Sequence, residues 1–245
     1  MCAKKKKMLY DTDKWLMPYK DAIDKRQKMI LEAKERLSKD GSLSKGMNNH
    51  IYYGLHHDAQ GNWVFREWAP NATKIYLIGD FNNWKRSEAY ALRPMGGGNW
   101  EITLPAMFLD HGALYKLFIE WPGGGAERLP SYVTRTVQDV QTKQFCAQVW
   151  DPVKPYEWRH PKPGKRPHPL IYECHIGMAT EEERVGTFEE FRLNVLPKVA
   201  DLGYDTIQIM ALQEHPYYGS FGYQVSNFFA LSSRFGTPEE FKALV

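Results

Sequence analysis

Residues 213–224 gather Gln213, Glu214, His215, Tyr217, Tyr218, Phe221, Tyr223 and Gln224, interrupted by Gly219 and Gly222. Aromatic faces beside amide, imidazole and carboxylate groups suit the binding of sugars, whose rings present an apolar face of axial hydrogens and an edge of hydroxyls. The flanking glycines let backbone approach a ligand closely. A second set stands at Gly79-Asp80-Phe81-Asn82-Asn83-Trp84, where a Trp follows two Asn in a turn-like context. With Trp100 and Lys116 it offers ring area for stacking and a donor for hydroxyls at the ring edge. Three carboxylates, Glu173, Asp205 and Glu214, lie near the first set, and each has a plain structural explanation: a strand residue, a helix-to-strand turn and a partner behind His215. No residue of the chain is therefore given a catalytic role.

The elements that position the first set follow from periodicity. Residues 171–178, Ile-Tyr-Glu-Cys-His-Ile-Gly-Met, are β-branched and aromatic after a Pro-rich stretch and read as a buried strand. Over residues 187–202, Phe188, Phe191, Val195, Leu196, Val199 and Leu202 recur at three- and four-residue steps; Thr187 is the N-cap, Glu190 completes a capping box and Gly203 stops the helix. Residues 205–211 form a second strand, and the right-handed crossover rule makes strand, helix and strand one parallel βαβ unit with its active edge in the loop after Met210. A long loop of this composition is rarely idle. Thr237-Pro238-Glu239-Glu240 opens a further helix.

The second set sits among short alternating strands at residues 63–68, 74–78, 100–104 and 114–120, with turns at 59–62, 96–99 and 122–125 and no helical pattern between them, which favours an immunoglobulin-like sandwich. Such a sandwich needs aromatic core, so each Trp is weighed between packing and binding. Trp84 is expected to face solvent, Trp68 is open between the two, and Trp100 lies between them. Residues 18–38 read as a mostly polar surface helix with a narrow apolar stripe that braces the modules, and residues 152–169 as a Pro-rich, semi-rigid connector.

These strings carry a resemblance. The run VLPKVADLGYDTIQIMALQEHPYYGSFGYQVSNFFALSSRFGTPEEF, with IYECHIGM ahead of it, resembles the start of the catalytic barrel of glycogen and starch branching enzymes in the α-amylase superfamily, and REWAPNATKIYLIGDFNNW resembles the signature of a glycogen-binding module. The resemblance implies a multi-domain chain: a tail and helix at 1–47, the β-sandwich module at 48–151, the linker at 152–169 and, at 170–245, the incomplete start of a (β/α)₈ TIM barrel. It implies cleavage of an α-1,4 glucan bond and transfer of the freed segment to a 6-hydroxyl, with retention through two carboxylates about 5 to 5.5 Å apart. In the superfamily these follow later barrel strands, beyond Val245. It also implies that Tyr223 stacks beneath the sugar being cleaved, with Gln224, His215 and Tyr218 as neighbours. Oligosaccharide in the N-terminal module is implied at Asp40, Trp68, Ala69, Pro70, Trp84, Gly98, Asn99, Trp100 and Lys116.

Composition adds bounds. The 245 residues are 43% hydrophobic and 25% charged with a formal net charge of +3, an ordinary folded chain that does not strongly seek polyanions. The basic run at Lys4 to Lys7 reads as a solvated tail with no reading element beside it, so nucleic acid is not an expected partner. Three cysteines without metal-ligand spacing, and no apolar stretch after the basic start, point to the cytoplasm, with no membrane anchor, no metal and no cofactor. Since a complete barrel takes about 250 residues by itself, the remainder of the barrel is an expected partner of this segment, and α-1,4-glucan (glycogen, amylose or starch) its ligand. The competing readings are a non-catalytic glucan-binding protein and a related debranching enzyme, whose strings match less closely.

Overall fold

The computed structural model describes residues 7–38 and 40–245 and divides into two compact units, Met1–Asn49 and His50–Val245. Cys2 and three of the four lysines of the basic run lie outside the described residues. In the first unit the expected helix is α1, Lys20–Leu37, and a 3₁₀ turn, Lys14–Tyr19, leads into it. The tighter turn accommodates Pro18, which has no N–H to give, and Asp13 caps it by accepting from Trp15 N at 3.0 Å.

The second unit opens with two antiparallel sheets. Strands β1 (Gly54–His57), β2 (Trp63–Trp68), β3 (Lys74–Gly79), β4 (Arg93–Gly96), β5 (Asn99–Leu104), β6 (Leu114–Trp121), β7 (Gly124–Arg128), β8 (Thr136–Gln138) and β9 (Phe145–Gln148) pair as β1-β2-β5-β4 and as β3-β6-β9-β8, with β7 added along β6. The four strands read from alternation are β2, β3, β5 and β6, and alternation sorts their side chains. Trp63 and Phe65 of β2, Ile75 and Leu77 of β3, Trp100, Ile102 and Leu104 of β5, and Tyr115 and Leu117 of β6 all enter one core. Phe65, Ile75, Leu77 and Leu117 are completely buried, and each such side chain contributes about 1.5 to 3 kcal/mol on leaving water. The turn expected at 122–125 is shorter than that, because Gly124 already belongs to β7.

After the linker, β10 (Ile171–His175) and β11 (Thr206–Met210) lie parallel, with Ile171 opposite Thr206 and His175 opposite Met210. The crossover between them, α2, runs through Phe188–Glu190, Phe191–Val195 and Leu196–Asp201 and is not one regular helix. Its middle stretch is π-helical: Leu196 N reaches back five residues to Phe191 O, which fits a chain whose next residue, Pro197, lacks an amide proton. The capping box at its start is present, with Glu190 N donating to Thr187 Oγ1 at 3.2 Å and Thr187 N donating to Glu190 Oε2 at 2.9 Å. Arg184, then Thr187, holds the Glu190 carboxyl down to about 2. The last helix, α3 (Pro238–Leu244), repeats the box through Thr237 and Glu240. Phe188, Phe191, Phe235, Ile176 and Cys174 fill the space between helix and strands.

A short hairpin that sequence alternation does not mark, β12 (Gln213–Glu214) with β13 (Asn227–Leu231), returns the long loop against the sandwich, where Leu231 bridges to Arg135 in parallel sense. Arg135 Nη1 donates to Gly236 O at 2.7 Å and Trp150 Nε1 to Glu239 Oε2 at 2.8 Å. Tyr53, Tyr132 and Phe229 stack in series at 5.2 and 4.7 Å across the same junction.

Candidate functional site

The Trp84 platform is built by the turn that leaves β3. Gly79 is required there, since a Cβ would lie 2.7 Å from the Phe81 ring. Asn82 closes the turn, accepting from Gly79 N at 3.0 Å and donating to Leu77 O at 3.1 Å. Asn83 and Trp84 then both take left-handed backbone, φ 54° and 59°. Asn tolerates this; for Trp it costs on the order of 1–2 kcal/mol. Bonds on both sides hold the ring: Trp84 N donates to Gly79 O at 2.9 Å and Trp84 Nε1 to Asp80 Oδ1 at 3.1 Å, while Asp80 Oδ2 accepts from Leu114 N at 2.8 Å.

Lys116 stands opposite Ile78 across the β3–β6 ladder, and its Nζ lies 5.9 Å from the centre of the Trp84 ring. The ammonium donates to Glu127 Oε2 at 2.9 Å and to Gln144 Oε1 at 3.4 Å. Of its three donors two are thus engaged, leaving one for a ligand hydroxyl. A half-buried ring with a cation, a carboxylate and an amide at its rim is suited to a neutral polyhydroxylated ring. Sequence reasoning found Trp84 and Lys116 but missed Asp80, Glu127 and Gln144; Asp80 stood within the motif, whereas the other two come into reach only through the β6–β7 and β8–β9 pairings.

A second patch surrounds the β4–β5 hairpin. Trp68 is 54% exposed and its Nε1 donates to Gly97 O at 3.1 Å. Gly98, at φ 83°, lets this happen: a Cβ there would lie 2.8 Å from Pro70 and 3.0 Å from Trp68 Nε1. Ala69 N donates to Gly98 O at 2.8 Å, and Asn99 accepts from Tyr53 OH at 2.5 Å. Trp68, Ala69, Pro70, Gly98 and Asn99 are therefore one surface. Trp100 departs from the expectation of a stacking face. It points inward with Ile102 and Leu104, is 7% exposed, and gives its Nε1 to Ala69 O at 3.0 Å, so it supports the patch from beneath. Beneath it too lies Glu67, whose buried carboxyl is raised in pKa by desolvation although Trp68 N and Ser131 N donate to it. Asp40 belongs to the other unit, where it is exposed with φ 53°.

At the strand edge the four expected residues separate. Tyr223 is 82% exposed, with no part in the core, and Gln224 is exposed beside it. Gly222 (φ 80°) packs its backbone on Ala211 and leaves no room for a Cβ. Tyr218 instead sets its ring edgewise on His175, 5.8 Å away, and burial raises its phenol pKa. His215 is completely buried, its Nδ1 within 2.9 Å of Gln213 O and its Nε2 without a hydrogen-bond partner among the described residues.

Nor is Glu214 a partner of the His215 ring. Its buried carboxylate accepts from Thr136 Oγ1 (3.1 Å), Ser232 Oγ (3.1 Å), Ser233 N and Oγ (3.0 and 2.9 Å), Arg234 Nη1 (3.2 Å) and the backbone N of His215 (3.2 Å). It ties the sugar-type loop to the sandwich through β8. The remaining carboxylates are also structural: Glu173 accepts from Gln208 Nε2 at 2.7 Å, and Asp205 accepts from Leu170 N at 3.0 Å and from Arg166 at 3.1 Å. Among the described residues no cluster of His, Cys, Asp and Glu could hold a metal, and no helix is long and apolar enough to cross a membrane.

Comparison with known proteins fits this geometry. The family model of carbohydrate-binding module 48 (isoamylase N-terminal domain) matches residues 52–134, which include Trp68, Trp84 and Lys116. The 1,4-alpha-glucan-branching enzyme of Yarrowia lipolytica is 38% identical over 242 residues, covering 95% of this chain and 35% of that protein. That of Rhizophagus irregularis is 40% identical over 240 residues with the same two shares. Among solved structures, the product complex of a multi-modular glycogen-degrading pneumococcal virulence factor, SpuA, superposes with a TM-score of 0.63 at 21% identity, over 86% of this chain and 26% of that one, and shows the shared fold. With residues 52–134 matching carbohydrate-binding module 48, the chain is similar along 95% of its length to 1,4-alpha-glucan-branching enzymes, of whose length it spans about 35%.

Proposed function

We propose that this chain is the glucan-binding front of a 1,4-alpha-glucan-branching enzyme, a cytoplasmic glycosyltransferase. Its parent cleaves α-1,4 linkages and re-forms them as α-1,6 branches with retention of configuration. The observation that carries the reading is 38% identity to a branching enzyme along 95% of the chain, combined with a Trp84–Lys116 platform suited to glucose rings. The modules divide at 48–151, 152–169 and 170–245. Trp84 stacks on a glucose face, Lys116 donates its free N–H to a hydroxyl, and the Trp68–Pro70 and Gly98–Asn99 surface takes a second stretch of the same polymer. Tyr223, with Gln224 beside it, contacts the sugar at the barrel edge, Tyr218 positioning the loop. The nucleophilic Asp and acid/base Glu come from barrel strands of the parent beyond this stretch, because Glu173, Asp205 and Glu214 are each engaged in structural bonds.

Amylose incubated with the parent protein should lose iodine staining as branches form, while the 245-residue chain binds amylose and leaves the staining unchanged. Transglycosylation by the chain alone would overturn the assignment of the carboxylates elsewhere. Binding without branching by the parent would favour a non-catalytic glucan-binding protein, and loss of α-1,6 linkages from glycogen a debranching enzyme.

A further inference from the structure

Residues 217–224 present Tyr223 to solvent, yet every hydrogen bond they make among the described residues stays within the stretch. Ser220 N and Oγ donate to Tyr217 O, Phe221 N to Tyr218 O and Tyr223 N to Ser220 O. The flanks are fixed differently: Arg234 donates to His215 O and Pro216 O on one side, and Ser226 N donates to Glu214 O at 2.9 Å on the other. What attaches the tip is packing. Gly222 lies against Ala211, and the rings of Tyr218 and Phe221 stand edge-on to the His175 imidazole, each centre 5.8 Å from it. Tyr218 reaches this place because residue 177 is Gly; a Cβ there would lie 2.6 Å from its hydroxyl.

His175 is badly placed to carry a charge. Its ring is buried, neither nitrogen has a hydrogen-bond partner among the described residues, and Phe235 at 5.6 Å is a third ring against it. The elements around it offer no free anion. His215 of β12 is itself an imidazole, and Glu214 beside it is engaged by Arg234 and by the hydroxyls of Ser232 and Ser233. Tyr218 brings a phenol, and Met210, opposite on β11, is uncharged. On its own strand Glu173 accepts from Gln208, and burial keeps Cys174 a thiol. Burial, then the His215 ring, holds the imidazole below its usual 6.5. A buried cation without a counter-charge is strongly disfavoured, and the tip is what can yield to hydrate it: it supplies two of the three rings and has no hydrogen bond to the rest of the chain to break. We propose that His175 is the positioning residue of the 217–224 loop and makes its seating proton-dependent: the neutral imidazole seats Tyr218 and Phe221 and so fixes Tyr223, and the imidazolium releases them. The consequence, weaker sugar contact at the strand edge as pH falls, rests on the reading of Tyr223 above; the movement of the loop does not.

The test is amide hydrogen exchange of the full chain at pH 7.5 and 5.5, corrected for the intrinsic exchange rate and read by mass spectrometry on peptides from 217–224, with β2 and β6 of the sandwich as internal reference. In the released loop the imidazole titrates near its usual value, so opening rises by up to about 10-fold over this range. Protection of the tip should fall by up to the same factor while β2 and β6 keep theirs. This comparison needs no variant, and tip protection that is absent, or equal at the two pH values, overturns the proposal. His175→Phe keeps a ring and cannot take a charge, so its tip protection should not change with pH. A fall that persists in His175→Phe, or that extends to β2 and β6, also overturns it. No glucan enters the readout, so failure of Trp84→Ala to weaken maltoheptaose binding would sink the glucan reading and leave the loop result standing.

Discussion

Replacing Glu214 with Ala should be among the most destabilising single changes in this chain. The carboxylate is completely buried, and its six bonds join the hydroxyls of Thr136, Ser232 and Ser233, two backbone amides and the Arg234 guanidinium, itself 17% exposed. Removing one member of a buried ion pair costs about 3–5 kcal/mol, because the other charge is left without its partner. The hydroxyls can turn to other acceptors, so most of the loss falls on Arg234, and about 4 kcal/mol is expected out of a typical total of roughly 5–15 kcal/mol. Glu214→Gln keeps volume and one acceptor but points an NH₂ at donors, and should lose about 2–3 kcal/mol. Thr136→Val removes a single bond, about 1 kcal/mol. Urea unfolding of the three variants followed by Trp fluorescence, with slopes compared to exclude a changed denatured state, reads these differences. A loss below about 1 kcal/mol for Glu214→Ala would refute the buried-pair reasoning.

Two further outcomes follow from the structure. Lys116→Met should weaken maltoheptaose binding several-fold while costing about 1 kcal/mol or less, because the released Glu127 is half exposed and regains water; unchanged affinity would remove Lys116 from the site. The His175 imidazole, buried and close to His215, has its pKa pushed below the usual value of 6.5. The unfolded chain therefore takes up a proton near pH 6.5 that the folded chain resists, so this residue's contribution is present above that pH and lost as pH falls below it. The stability difference between the protein and His175→Gln should shrink between pH 7.5 and 5.5, and a difference independent of pH would contradict the assignment.

How much of this was readable beforehand differs from element to element. The strands β2, β3, β5 and β6 declared themselves because each buries one face, whereas β4, Arg93-Pro-Met-Gly96, is exposed along its length and leaves no alternation to read. The two- and three-residue strands β12 and β8 are too short for any period. The capping box at Thr187 and the helix start at Thr237 were legible because they are local chemistry. The π-helical stretch of α2 also had a local signal in Pro197, which the apolar periodicity masked. For the site, parity was informative and underused: Trp100 shares its phase with Ile102 and Leu104 and so must point inward, while Lys116, flanked by Tyr115 and Leu117, must point away from the core. The burial of Glu214 and His215 was not legible, since it depends on β8 of the sandwich and on Ser232 to Arg234, far off in sequence.

The central claim is that α-glucan is held on the Trp84 ring beside Lys116. Calorimetric titration of maltoheptaose into the chain and into its Trp84→Ala form tests it most directly. Loss of an indole face predicts an affinity at least about 5-fold weaker with the fold retained; an affinity unchanged by the substitution would contradict the account.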